Sequence, residues 1–257
     1  MTVADSLSTQ RPDRDKLGLE HTREFVDRVF GADLHALRVL SLANGVAGVL
    51  NAAVLSIHAI GQAYANVAKI TAKSGVKQVD RMLGNDALSL DIVLARWVRF
   101  VVGENASILI ALDWTDFDKD DHTTLCAYMV TTHGRAMPLA WKTVKKSALK
   151  DQRTGHELEM VERLHTWLPE NVNITLLADR AFGYQELYAL LEAFGWDFVI
   201  RFRGCILVES AEGAVRPAED WVPSNGRPKL LVGARVTDKR AAVGTVVLVK
   251  AAHMKEA

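Results

Sequence analysis

Two aspartates stand directly behind apolar runs that read as strands: Asp113 after ILIAL (108–112) and Asp179 after ITLLA (174–178). An acid closing a hydrophobic strand is costly unless it is paired or faces a cation. Taken singly, either one reads as a turn former or a helix N-cap behind a strand. On matching strands the two together suit phosphodiester cleavage and transfer, which asks for two divalent ions about 3.5 to 4 Å apart, one activating the attacking oxygen and one stabilising the leaving oxygen. Mg²⁺, or Mn²⁺ in its place, prefers carboxylate oxygens and keeps several waters, so a few acids on rigid elements are enough. Asp116, Asp118, Asp120 and Asp121 crowd behind Asp113 in a polar stretch that reads as a solvated turn, which leaves Asp113 as the candidate ligand.

Cations cluster locally although the formal net charge of the 257 residues is zero. Residues 134–153 hold Arg135, Lys142, Lys145, Lys146, Lys150 and Arg153 against a single acid, Asp151, and residues 66–81 hold Lys69, Lys73, Lys77 and Arg81 against Asp80. Such stretches suit phosphate contacts that position a DNA duplex without reading its bases, and binding through them weakens steeply with salt. Equally, they describe an ordinary solvated face.

The elements that must position these groups follow from the hydrophobic period. Residues 1–30 are polar, rich in Arg and Asp, and end in a short amphipathic pattern, read as an arm or a frayed helix. Residues 34–101 read as helices: two long ones through about Ala68, a short one from Lys73 to Leu83 and another from Leu88 to Val101. The expected breaks are at Ser74-Gly75 and Gly84-Asn85-Asp86. A helix-turn-helix around Ser74-Gly75 fits this pattern weakly.

At Ile108 the period becomes extended. ILIALDW (108–114) is a continuous apolar run that suits a strand buried on both faces. Residues 123–132 and 136–144 are β-rich and flank His133-Gly134-Arg135, a hairpin turn, so the first three strands form an antiparallel meander. An amphipathic helix over 155–168, a strand over 173–178, a helix over 184–194 and a strand over 196–202 follow. Acids at the carboxyl ends of the first and fourth strands can converge, because open α/β sheets place their sites there. The fold class expected is therefore α/β, a ribonuclease H-like mixed sheet flanked by helices. An N-terminal helical region (1–103) precedes this core (104–203), and a β-rich insertion (204–257) follows it.

Composition excludes little: 49% hydrophobic and 24% charged residues is ordinary globular material. Cys126 and Cys205 lie far apart without CxxC spacing, so neither a zinc site nor a disulfide is expected. Residues 1–30 carry charges throughout and show no signal-peptide pattern. From Val39 to Ala68 there is no Asp, Glu, Lys or Arg, long enough to span a bilayer of about 30 Å. That run contains Asn44, Asn51, Gln62, Asn66 and His58, and its large residues recur at helical spacing, so buried helices of a non-membrane protein are expected.

LLADRAFGYQELYALLEAFGWDFVIRFRG (176–204) resembles the second-aspartate block of DDE-type insertion-sequence transposases whose C-terminal signature is Tyr, Arg, Glu, Lys. ILIALDWTDF (108–117) is similar to their first-aspartate strand, and LSIHAIGQAYA (55–65) with KQVDRMLGN (77–85) to their N-terminal helical region. The resemblance covers roughly 35–257. It implies Asp113 and Asp179 as metal-binding catalytic acids with Arg180 beside the second, and Mg²⁺ (or Mn²⁺) dependence. It also implies an N-terminal domain that binds element ends, a β insertion from Gly204, double-stranded DNA as partner and a homodimer in a synaptic complex. A bacterial cytoplasmic, nucleoid-associated location goes with it. The expected DNA contacts are Lys73, Lys77, Arg81, Lys142, Lys145, Lys146, Arg180, Arg201 and Arg203.

One departure is large. In the family a third acid follows the β insertion on a helix with Tyr, two residues, Arg, three residues, Glu, six residues, Lys, whereas no tyrosine occurs here after Tyr188. Glu209, Glu212 and Glu219 fall inside the β-rich part, and Glu256 is penultimate. The chain is thus expected to be cut in or just after the insertion and inactive alone, with apolar surface exposed on one sheet face and poor solubility. The alternative is a DNA-binding remnant that occupies element ends or inhibits a full-length partner without doing chemistry. A stand-alone nuclease using Glu157 or Glu186 as a further acid is a third reading.

Overall fold

The computed structural model describes residues 18–225 and 227–249, and the chain divides into two compact units, Met1–Phe100 and Val101–Ala257. The first is helical: α1 (Leu19–Phe30), α2 (Ala36–Ala52), α3 (Ile57–Ala68), α4 (Ala72–Leu83) and α5 (Leu90–Val102), which runs to the boundary. The amphipathic pattern expected to fray is instead a packed helix. Val26, Val29 and Phe30 of α1 share a core with Leu34, Val39 and Ala43, against which Val93 and Trp97 of α5 pack. Of the polar arm, residues 1–17 lie outside the described residues.

The break expected at Ser74-Gly75 is also corrected. It falls at 69–71, where Lys69 takes the left-handed conformation (φ 54°) after α3, and Thr71 caps α4 by accepting from the Ser74 amide. Gly75 has a different task inside α4. A Cβ there would run into the Gly61 carbonyl, and one on Gly61 into the Val76 backbone, so the two glycines let α3 and α4 cross at backbone distance. Among the described residues no single helix is long and apolar enough to cross a membrane; the uncharged run is divided between α2 and α3, which are bent by 100°.

The second unit is mixed α/β. Strands β1 (Ser107–Phe117), β2 (His122–Val130), β3 (Ala136–Lys145), β4 (Asn173–Ala178) and β5 (Asp197–Ile200) form one sheet in the order β3-β2-β1-β4-β5. The β1–β2–β3 meander is antiparallel, whereas β1, β4 and β5 are parallel, joined through α6 (Arg153–Trp167) and α7 (Gln185–Ala193). Parallel neighbours need such helical crossovers.

Successive side chains of a strand point to opposite faces. On β1 the even residues Ile108, Ile110 and Leu112 are buried, as are Ile174 and Leu176 of β4. The helices pack on this face: Trp114 of β1 bonds to Glu157 of α6, and Tyr188 of α7 stacks on Phe198 of β5 with ring centroids 5.4 Å apart. Neither helix covers the other face. Leu109 is 42% exposed there, Val199 62% and Trp141 52%. The expectation that β1 is buried on both sides is therefore corrected. Its continuous apolar run hides an alternation that only the placement of α6 and α7 reveals.

Residues 204–249 build a second, antiparallel sheet from β6 (Leu207–Glu209), β7 (Val215–Pro217), β8 (Lys229–Val236) and β9 (Ala241–Leu248), in the order β7-β6-β8-β9. It is separate from the five-stranded sheet, as its texture of short strands and turns predicts. It shares a core with α7 and β5, because Tyr188 lies among Val208, Trp221, Leu231, Val236, Val246 and Leu248, and Phe198 and Ile200 pack against them.

Candidate metal and DNA-binding site

β1 carries Asp113 between Leu112 and Trp114, and the strand runs on through Phe117, so the acid lies inside the strand and does not close it. Asp113 is opposite Cys126 of β2. The last residues paired between β1 and β4 are Leu112 and Ala178. Asp113 and Asp179 each follow one of these, so they occupy matching next positions on adjacent parallel strands. Both are exposed. Period-two alternation puts them with Leu109 and Val199 on the face that α6 and α7 leave open.

Asp179 has an extended backbone (φ −80°, ψ −178°), and its Oδ1 accepts the Ala181 amide at 2.8 Å, which fixes the carboxylate at the head of a short 3-10 turn. On its far side, the Arg201 amide donates to the Ala178 carbonyl at 3.2 Å, which closes the last rung of the β4–β5 ladder, Ala178 with Ile200, so that Asp179 and Arg201 are each the next residue beyond that rung. Arg201 thereby stands level with Asp179. From β2 and β1 to the ends of β4 and β5 the row reads Cys126, Asp113, Asp179, Arg201: two carboxylates flanked by a thiol and a guanidinium.

Cys126 and Tyr128 stay protonated at neutral pH. Burial, above all, pushes the Cys126 thiol up, with the Asp113 charge adding to it. The hydrogen bond with Cys126, then burial, pushes the Tyr128 phenol up to about 12. At this level of the open face the carboxylate donors are Asp113 and Asp179. Among the described residues no group of three or more His, Cys, Asp or Glu is placed to hold a metal ion. Two carboxylates with open space beside them still fit a hydrated Mg²⁺, which keeps several waters when bound by one or two acids.

Glu157 and Glu186, the further acids a stand-alone nuclease would need, do not join them. Glu186 is an exposed residue in the first turn of α7, and Glu157 is buried on the covered face. Asp116, expected in a turn, lies within β1. Asp118 and Asp120 form a short 3-10 turn, and Asp121 is left-handed (φ 51°).

The basic residues fall into two groups. Lys73, Lys77 and Arg81 are exposed on α4 at i, i+4 and i+8, which places them along one helix face. Arg180 and Arg203 are exposed in the segments following Asp179 and β5, and Lys145 ends β3, also exposed. Lys142 and Lys146 are committed inside the chain. Lys142 pairs with Glu159 of α6, and Lys146 with Asp116 at 2.7 Å and Asp118 at 2.6 Å. The hydrogen bond it donates to Asp116, then that to Asp118, pushes Lys146 up to about 12. Both lysines lose much of the free positive charge that the sequence count gave them.

Sequence reasoning passed over Trp114 and Tyr184 and counted Arg153 only within a basic cluster. The Trp114 indole donates to Glu157 at 2.7 Å while the Arg153 guanidinium lies 5.1 Å above its ring. A tryptophan beside a candidate acid was the available signal, since a buried indole N–H must find an acceptor. No protein-family model matches the chain, and no curated protein matches it.

Proposed function

We propose that this chain acts on double-stranded DNA as an insertion-sequence transposase of the Tyr-Arg-Glu-Lys type, with the five-stranded sheet as a ribonuclease H-like core. The observation that carries the reading is the row of Asp113 on β1 with Asp179 and Arg201, the residues that directly follow the adjacent parallel strands β4 and β5. The strand order β3-β2-β1-β4-β5, a meander followed by two helical crossovers, supports it as well.

Asp113 and Asp179 would hold Mg²⁺ or Mn²⁺, which when bound supplies charge stabilisation to the attacking and leaving oxygens of a phosphodiester. Arg201 neutralises a phosphate beside them, and Arg180 and Arg203 extend that positive edge. Protonated Cys126 and Tyr128 add no charge. The two acids leave the site short of the third carboxylate that such a mechanism uses, so cleavage by this chain alone is slow or absent.

In the helical unit, α3, a three-residue turn whose first residue is left-handed, and α4 make a helix-turn-helix arrangement. The network beneath it runs from Arg23 to Asn44 (3.3 Å), from Asn44 to Gln78 (3.5 Å) and from Tyr64 to Gln78 (3.2 Å). It holds α4 so that Lys73, Lys77 and Arg81 project together. We assign α4 to the DNA groove and its cations to the flanking phosphates.

The second reading, a DNA-binding protein without chemistry, is favoured by the shortage of acids among the described residues. One experiment separates the two. Duplexes bound by the full chain are selected from a random pool, and the winner is built into a supercoiled plasmid for nicking with Mg²⁺ or Mn²⁺. The proposal expects one enriched sequence, loss of binding when Lys73, Lys77 and Arg81 are all changed to Ala, and slow nicking that Asp113→Asn abolishes. Enrichment without nicking selects the second reading. No duplex binding even at low salt rejects both.

A further inference from the structure

We propose that Glu157 is the positioning residue that sets the Asp113–Asp179 pair. This role rests on the reading of those two acids as a metal-binding pair. Glu157 is 1% exposed, and a carboxylate so buried is an exception unless its position has a use. Its Oε1 accepts from Trp114 Nε1 at 2.7 Å and from Arg153 Nε at 3.3 Å. Arg153 in turn lies over the Trp114 ring, so the indole is held at its edge by the carboxylate and on its face by the guanidinium.

Trp114 follows Asp113 directly. Because neighbours on a strand point to opposite faces, fixing the indole on the α6 face fixes the rotation of β1 there. That rotation sets the direction of Asp113 on the open face. The same carboxyl also lies beside the end of the segment that the second acid begins. Tyr184 ends the short segment that Asp179 begins, and its hydroxyl is buried beside the Glu157 carboxyl. Burial, then the Glu157 charge beside it, raises its phenol. One side chain of α6 is therefore bonded to the residue beside Asp113 and lies next to Tyr184, which ends the segment begun by Asp179. A purely structural filler would not need the acceptor oxygen, since an apolar residue of similar volume avoids the desolvation cost.

The test is Mn²⁺ binding by the full chain, read from the electron paramagnetic resonance of free Mn²⁺, with Asp113→Asn as the reference that removes the site. We expect Glu157→Leu to weaken Mn²⁺ by about tenfold or more, as loss of a group orienting a metal ligand does. Glu157→Gln, which still accepts from Trp114, should restore affinity to within about threefold, less than 1 kcal/mol. Trp114→Phe keeps the ring and removes the donor, so it should weaken Mn²⁺ as Glu157→Leu does, and the double variant should be no weaker than either single change.

If Asp113→Asn abolishes binding while Glu157→Leu and Trp114→Phe bind like the unaltered protein, the positioning role is wrong and the metal site stands. If Asp113→Asn leaves Mn²⁺ binding untouched, the reading of the acids fails and takes the role of Glu157 with it. Should Glu157→Leu not fold, the Trp114→Phe titration decides alone: unchanged affinity overturns the proposal and weakened affinity sustains it.

Discussion

On one face of the five-stranded sheet Ile110, Leu112 and Leu176 lie buried under α6 and α7. On the other, Leu109, Val199 and Trp141 stand exposed around Asp113 and Asp179. The same strands build both faces, so intrinsic β propensity does not distinguish them. What differs is the partner. The covered face meets helices and keeps its buried acid, Glu157, inside a hydrogen-bonded cluster. The open face keeps its acids toward solvent, where a hydrated cation and a polyanion can reach them. In the proposed function chemistry falls to the open side, because charge can be held there without desolvating it first.

The comparison is broken or sharpened most strongly by truncation. Leu176→Ala on the covered face should cost about 2 to 5 kcal/mol of unfolding free energy. Val199→Ala on the open face should change it by about 0.5 kcal/mol or less. Equal losses in urea unfolding would show that something covers the second face. A smaller effect is expected on association. Leu109→Lys with Val199→Lys should raise the concentration at which the chain aggregates and lower its binding of an apolar dye, because the exposed patch is the sticky one. Dye binding that the double change leaves alone would place the apolar surface elsewhere.

The pH dependence of stability tests the covered face. Burial raises the Glu157 carboxyl above its usual 4.5, outweighing the hydrogen bonds and the Arg153 charge that lower it. A raised carboxyl favours the protonated fold. Its contribution is therefore full below pH 4.5 and is lost as the pH climbs through the higher folded value. Glu157→Gln has no such loss, so its Tm should rise relative to the unaltered chain across that window. A Tm difference that stays flat from about pH 4 to pH 8 would contradict a buried, ionising Glu157. The smallest effect is expected from the half-exposed Lys142–Glu159 pair, where Lys142→Ala should cost about 0.2 to 1 kcal/mol in the same unfolding assay.

The order of strands and helices was readable from the hydrophobic period, and so were the two aspartates behind matching apolar runs. The register that sets Asp113 and Asp179 level could not be read, because it depends on how far β1 slides against β4. Nor could the one-sided burial of β1: ILIAL looks the same whether one face is covered or both. Gly75 misled because glycine ends helices in isolated sequence, whereas here it serves a close crossing with Gly61, a contact made fourteen residues away. The lysine count misled for a similar reason, since Asp116 and Asp118 reach Lys146 only after the meander folds. Glu157 was visible as an acid on a helix, but its tie to Trp114 joins residues 43 positions apart.

The central claim is that Asp113 and Asp179 form one metal site. Calorimetric titration of Mn²⁺ into the full chain, Asp113→Asn, Asp179→Asn and the double variant tests it most directly. The account predicts a carboxylate-dependent binding event in the unaltered protein, its loss in either single variant, and no further loss in the double, because residues acting as a unit are not additive. Binding that survives both single changes, or losses that simply add, would mean that the two acids are neighbours in the fold and nothing more.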